Sequence, residues 1–195
     1  MGATRELDGI AIPQKGTWVF DPAHTTVGFV ARYLLVTKVR GRFEDVTGLI
    51  EVGEGPEDSR VEVTIPAKTI TTSQPPRDEH LRSPDFLDVD GYPELTFIST
   101  KVTRTGERTL HVEGDLTIRD VTRPVTLKTE YLGPVDDPWG NTRVAFNAAT
   151  KINREDWGIN WNQVVETGGV LVGPEVDIEI EVQALQKEVA EQAAS

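Results

Sequence analysis

The sequence contains no cysteine. That excludes disulfides, thiolate nucleophiles and cysteine-ligated metal centres. Histidine is scarce, with three in 195 residues, and no pair stands at a metal-ligand spacing such as HExxH. Zinc needs three or four converging ligands, so no metal or other cofactor is expected. No stretch approaches a membrane span, and stable membrane insertion is not expected. The opening residues MGATRELDGIAIPQKG hold no apolar run of signal-peptide length. MGATRE starts as a myristoylation signal does, but Glu6 stands where serine or threonine is required. Basic charge is also in deficit. Twenty lysines and arginines face 32 acidic residues, a formal net charge of -12. That repels phosphate backbones, so nucleic acid is not an expected partner. These absences together read as a soluble cytoplasmic protein.

What is present is alternation. In PEVDIEIEVQAL, Val176, Ile178, Ile180 and Val182 fall on one face of a strand, and Asp177, Glu179, Glu181 and Gln183 on the other. The acidic face must see water. The apolar face sees either a packed core or a cavity. The same period runs through TVGFVARYL, with Val27, Phe29, Ala31 and Tyr33 in phase, and through RVEVTIPA, with Val61, Val63 and Ile65 in phase. LHVEGDLTI aligns Leu110, Val112, Gly114, Leu116 and Ile118. PVTLKTEYL aligns Val125, Leu127, Thr129 and Tyr131, and TRVAFNAATKI aligns Val144, Phe146, Ala148, Thr150 and Ile152. With GTWVFD, DVTGLIEVG and ELTFISTKV, about eight or nine strands are expected, joined by short turns and therefore antiparallel. Inward positions are often small, which suits either a barrel with internal space or closely packed sheets. The best helix candidate is PPRDEHLRSPDF, and Ser83 before Pro84 has the form of a helix N-cap.

Single residues add little chemistry. His24 follows Asp-Pro in a turn, where its ring caps local backbone. His111 lies on the strand phase opposite Val112. RDEHLR gathers Arg77, His80 and Arg82, donors able to hold a diphosphate or a carbonyl. Surface pairing of these arginines with Asp78, Glu79 and Asp85 is the more economical reading. Asp85, Asp88 and Asp90 lack the spacing of a calcium loop and suit turns. There is no GxSxG elbow. Thr167 in ETGGVLVG is not a serine nucleophile, and GGVLVG lacks the ending of a phosphate loop. The aromatics Phe29, Phe86, Phe97, Phe146, Trp139, Trp157 and Trp161 either fill an interior or line one.

Several stretches occur together in a fixed order: FDPAHTTVGFVARYLLVTKVRGRF, RDEHLRSPDFLDVDGYPELTF, GDLTIRDVTRPVTL, DPWGNTRVAF, INREDWGINWN and ETGGVLVG. With them the chain resembles the YceI-like family, often described as polyisoprenoid-binding or lipid-binding, over roughly residues 16 to 185. The resemblance implies an all-β fold, a lipocalin-like antiparallel β-barrel of about eight strands with short helices. It also implies a long amphiphile held in the barrel: a polyprenyl chain, an isoprenoid quinone or a fatty amide. Residues 1–15 are then expected as a flexible leader, 16–185 as the barrel domain, and 186–195 as a C-terminal tail that forms a short helix or frays.

On this reading the ligand-lining residues are Val27, Phe29, Ala31, Val63, Ile65, Phe86, Phe97, Val112, Leu116, Phe146, Trp161, Val176 and Ile178. Arg77 and His80 are candidate headgroup contacts. Binding is non-covalent and no catalytic residue is assigned. Two alternatives remain: an enzyme acting on a small apolar substrate in the same barrel, and a partner-binding module with a filled barrel. An uncovered strand edge would allow a homodimer.

Overall fold

The computed structural model describes residues 3–34, 36–164 and 170–193. Strands dominate it: β1 (Thr4–Leu7), β2 (Ile10–Pro13), β3 (Gly16–Phe20), β4 (Thr26–Tyr33), β5 (Thr37–Phe43), β6 (Thr47–Val52), β7 (Arg60–Pro66), β8 (Ile70–Thr71), β9 (Glu94–Arg104), β10 (Thr109–Ile118), β11 (Val121–Asp136), β12 (Thr142–Asn153) and β13 (Val172–Gln186). Two short helices, α1 (Pro75–Arg82) and α2 (Lys187–Ala193), complete the regular structure. The strands hydrogen-bond in the order β12-β11-β10-β9-β7-β6-β3-β13, and β13 pairs again with β12. Eight antiparallel strands therefore close a barrel in which each has a partner on both sides.

One position in the wall is shared. Ala184–Gln186 of β13 pair with β3, whereas Val176–Glu181 pair with β4. Between β3 and β4 the chain makes a single 3-10 turn at Pro22–His24. Asp21 caps that turn: its carboxylate accepts from the Ala23 N–H at 2.9 Å, meets His24 Nδ1 at 2.8 Å and pairs with Arg143. The local backbone is thus capped by Asp21 rather than by the ring of His24. Burial pushes the Asp21 carboxyl up, but the bonds from His24, Ala23 and Arg143 outweigh it and hold it below the usual carboxylate range. On its outer edge β4 carries β5, and β5 carries β8.

Strand parity follows the sequence. Val61, Val63, Ile65, Val112, Leu116, Val176, Ile178 and Ile180 all point into the barrel. Asp177 and Glu179 stand outside, where Lys151 and Arg40 lie beside them. Two bulges change the phase. In β9, Ser99 pairs with Gly114 and Lys101 with Glu113, which leaves Thr100 unpaired. Phe97 before the bulge and Val102 after it therefore both face inward. In β11 the extra residue is Leu132, which is exposed.

Regular structure begins before GTWVFD. Residues 4–13 form the antiparallel hairpin β1–β2 instead of a loose leader. The cause is Asp8-Gly9: both residues have positive φ, 52° and 80°, as a two-residue hairpin turn of the inverted type demands. A second correction concerns Ser83. It closes α1 instead of opening a helix, and its hydroxyl donates to the His80 carbonyl at 2.7 Å. The strands β5 and β8 were not anticipated. Thr167, Gly168 and Gly169 lie outside the described residues.

Candidate ligand cavity

The barrel encloses a cavity of about 360 Å3, within the lower part of the size range of small-molecule sites. Its walls are almost wholly apolar. Val27, Phe29 and Ala31 reach it from β4, Val63 and Ile65 from β7, and Phe97 from β9. Val112 and Leu116 of β10, Phe146 of β12, and Val176 and Ile178 of β13 complete the wall, with Phe86 from the segment after α1. Many of these side chains point inward yet are only partly buried, among them Phe29, Val63, Ile65, Phe146, Val176 and Ile178. In a filled core, inward side chains are close-packed on all sides.

Glycines help to keep the bore open. Phe97 lies over Gly114, where a Cβ would meet its Cζ at 2.4 Å, and Phe29 lies over Gly41 with a corresponding distance of 2.3 Å. Only glycine admits the rings there, so each ring sits in the wall instead of crossing the lumen.

The mouth where β3 begins and β9 ends is covered by the β1–β2 hairpin. Leu7, Ile10, Ile12 and Pro13 face the cavity from it. The Tyr131 hydroxyl donates to the Ala11 carbonyl at 2.9 Å. Burial pushes that phenol up to about 12, against a weaker opposing effect of Arg108. Arg104 donates to Asp8 at 2.6 Å, and Arg5 donates to the carbonyls of Gly53 and Glu54 at 2.8 and 2.7 Å.

The opposite mouth is closed by α1, the segment after it and the turn Arg154–Trp157. Asp78 is 6% exposed. It accepts from the Thr72 N–H and hydroxyl at 2.7 and 2.5 Å and from the Thr71 hydroxyl at 2.9 Å. Burial pushes its carboxyl up, but the bonds from Thr72 and Thr71 prevail and hold it below the usual range. Arg154 lines the cavity and is 4% exposed. It donates to the carbonyls of Gly173, Ile159 and Val172 at 3.1, 2.6 and 3.3 Å. Burial pulls its pKa down, Glu155 opposing.

Three expected contacts lie elsewhere. Trp161 does not line the cavity: it packs behind Phe86, 5.3 Å between ring centres, and against His80 at 4.6 Å. His80 is held in that cluster with its Nε2 on Asp85 at 2.8 Å. Arg77 donates to the Thr72 hydroxyl and carbonyl at 2.7 and 3.2 Å, and Arg82 to the carbonyls of Lys68 and Ile70, so neither makes a carboxylate pair. None of the three histidines lines the cavity. Among the described residues no cluster of three potential metal ligands occurs, and no helix is long and apolar enough to cross a membrane. Arg154 and the hairpin residues were missed from the sequence. The hairpin had a readable signal in Asp8-Gly9; Arg154 had none, because two of its three carbonyl partners come from a distant segment.

The family model of the YceI-like domain matches residues 18–184. Protein YceI of Shigella flexneri is 38% identical over 168 residues, covering 84% of this chain and 83% of its own. A UPF0312 protein of Pseudomonas putida is 36% identical over 165 residues, with coverages of 84% and 82%. Among solved structures, BcnA of Burkholderia cenocepacia superposes with a TM-score of 0.73 at 19% identity, covering 84% of this chain and 98% of its own. A polyisoprenoid binding domain from Saccharophagus degradans, implicated in plant cell wall breakdown, gives 0.64 at 12% identity, with coverages of 89% and 99%. Barrel closure, cavity and sequence agree, and the chain belongs to the YceI-like family.

Proposed function

We propose that this protein binds and carries, without covalent chemistry, a long-chain amphiphile whose apolar tail occupies the barrel. The observation that carries the reading is the unfilled interior: Phe29, Val63, Phe146 and Ile178 point inward and still keep accessible surface. That surface is apolar and available to a tail, which it would remove from water at about 25 cal/mol per Å2, less the cost of ordering the chain. The Saccharophagus degradans neighbour, a polyisoprenoid binding domain, supports an isoprenoid among the candidate ligands, beside quinones and acyl-chain amides.

The test is direct. The purified protein is denatured, extracted into organic solvent and examined by mass spectrometry, and the emptied protein is titrated with prenyl alcohols. A near-stoichiometric lipid in the extract, or saturable uptake, is expected. A clean extract with no uptake of any member of the series rejects the reading.

A further inference from the structure

We infer that the β1–β2 hairpin is a stopper that sets the longest tail the barrel accepts. The inference rests on the proposal that the barrel holds a chain-like amphiphile. Residues 4–13 precede the part of the chain that matches the family model, residues 18–184. The hairpin lies outside that matched stretch, and it is placed across a mouth of the cavity.

Apolar side chains make most of its lumen face. Leu7, Ile10 and Ile12 face the lumen, and Ile10 is 5% exposed within the main core cluster. Polar links tie it to the barrel: Asp8 to Arg104 at the surface, Arg5 to the carbonyls of Gly53 and Glu54, and the Ala11 carbonyl to the buried Tyr131. Leu7, Ile10 and Ile12 give a chain terminus an apolar surface, and Arg5 beside them is engaged with the carbonyls of Gly53 and Glu54. The hairpin limits the tail mainly by volume. A tail that reaches Ile10 has no further wall to cover, and each added unit must stay outside in water or displace the hairpin. Displacement uncovers Leu7, Ile10 and Ile12 to water, and the Asp8-Gly9 turn, whose backbone already has the conformation a two-residue hairpin needs, makes the hairpin move as one piece.

The experiment compares the full chain with a variant lacking residues 3–13, using geraniol, farnesol, geranylgeraniol and solanesol. Affinity is read by displacement of a fluorescent alkyl probe. In the full chain, affinity rises by roughly tenfold or more per isoprene unit while units still enter the cavity, then stops rising at a defined length. In the shortened variant that break moves to a longer alcohol. An identical break in both proteins overturns the stopper and leaves the carrier reading intact. No binding of any alcohol by the full chain overturns both. If the shortened variant does not fold, Ile10→Ala takes its place: it keeps the hairpin but withdraws apolar volume from the lumen. Its break moves to a longer tail if the hairpin sets the limit, and an unmoved break again overturns the proposal.

Discussion

At the mouth where β3 begins, the cover is a short hairpin tied by an exposed link to Arg104, by Arg5 to the carbonyls of Gly53 and Glu54, and by a part-buried link to Tyr131. At the other mouth the cover is built around two buried charges. Asp78 gathers the donors of Thr71 and Thr72, and Arg154 gathers the carbonyls of Ile159, Val172 and Gly173. The aromatic cluster of His80, Phe86 and Trp161 packs beside them. The exposed pair of Arg104 with Asp8 can break into water at small cost. A buried link cannot, because its partners are then left without water or protein. The barrel therefore has one end covered mainly by apolar contact and one whose opening also strands buried polar groups.

The widest gap between the ends should come from Arg154→Met. It takes the guanidinium donor from the buried carbonyls of Gly173 and Ile159, while the Val172 carbonyl keeps the Asn162 amide at 2.7 Å, and we expect a loss of about 3–5 kcal/mol in urea unfolding. A loss below about 1 kcal/mol would mean that water reaches those carbonyls, and the contrast would collapse. Asp78→Ala comes next, at about 2–3 kcal/mol, for the donors of Thr71 and Thr72 that it strands. Its pH signature has a definite sign. The folded carboxyl lies below its unfolded value, so its contribution is present above the ordinary carboxylate pKa and lost as pH falls through the lower folded value. Asp78→Asn should flatten the acid limb of stability below pH about 4 relative to the parent chain.

At the soft end, Tyr131→Phe removes one link to the hairpin and should cost about 1 kcal/mol. The phenol's pKa is raised to about 12 in the fold. Its contribution is therefore complete below pH about 10 and lost as pH climbs through the folded value. Melting followed across that alkaline window should fall less steeply for Tyr131→Phe than for the parent. The smallest effect belongs to the wall between the ends. Ile178→Phe extends into the lumen and should change the stability of the empty protein by less than about 1 kcal/mol, while weakening uptake of long prenyl alcohols. A loss of about 1–3 kcal/mol, as overpacking of a full core gives, would show that the lumen is not free at that point.

The strand faces were legible because a period of two leaves only two choices, and one of them puts Asp177 and Glu179 inside. The emptiness of the lumen was not legible: alternation marks which side chains point inward, but not what they meet. The hairpin was overlooked because TREL and IAIP are too short for a periodic pattern, although Asp8-Gly9 was sufficient to mark it. β5 was missed for a different reason. TKVRGRF is mostly polar, and it becomes a strand by adding to the edge of β4. Arg154 stood within a recognised motif, yet its burial depends on carbonyls that arrive from Val172 and Gly173. Arg77 and His80 were chosen for their donors, and those donors are satisfied locally by Thr72 and Asp85.

The last strand of the chain closes the ring against one of the first, with Ala184 paired to Phe20. A ribosome emitting about 5–20 residues per second therefore needs roughly ten to thirty seconds to deliver the partner of β3 and β4. During that interval the inner faces of the earlier strands and the open edges of β4 and β12 have no cover, although hairpins between neighbours can form within microseconds. The barrel cannot assemble in the order in which it is made. Its closing step falls to the C-terminal strand, and any truncation that removes β13 leaves the edges of β12, β3 and β4 adhesive instead of a slightly smaller barrel.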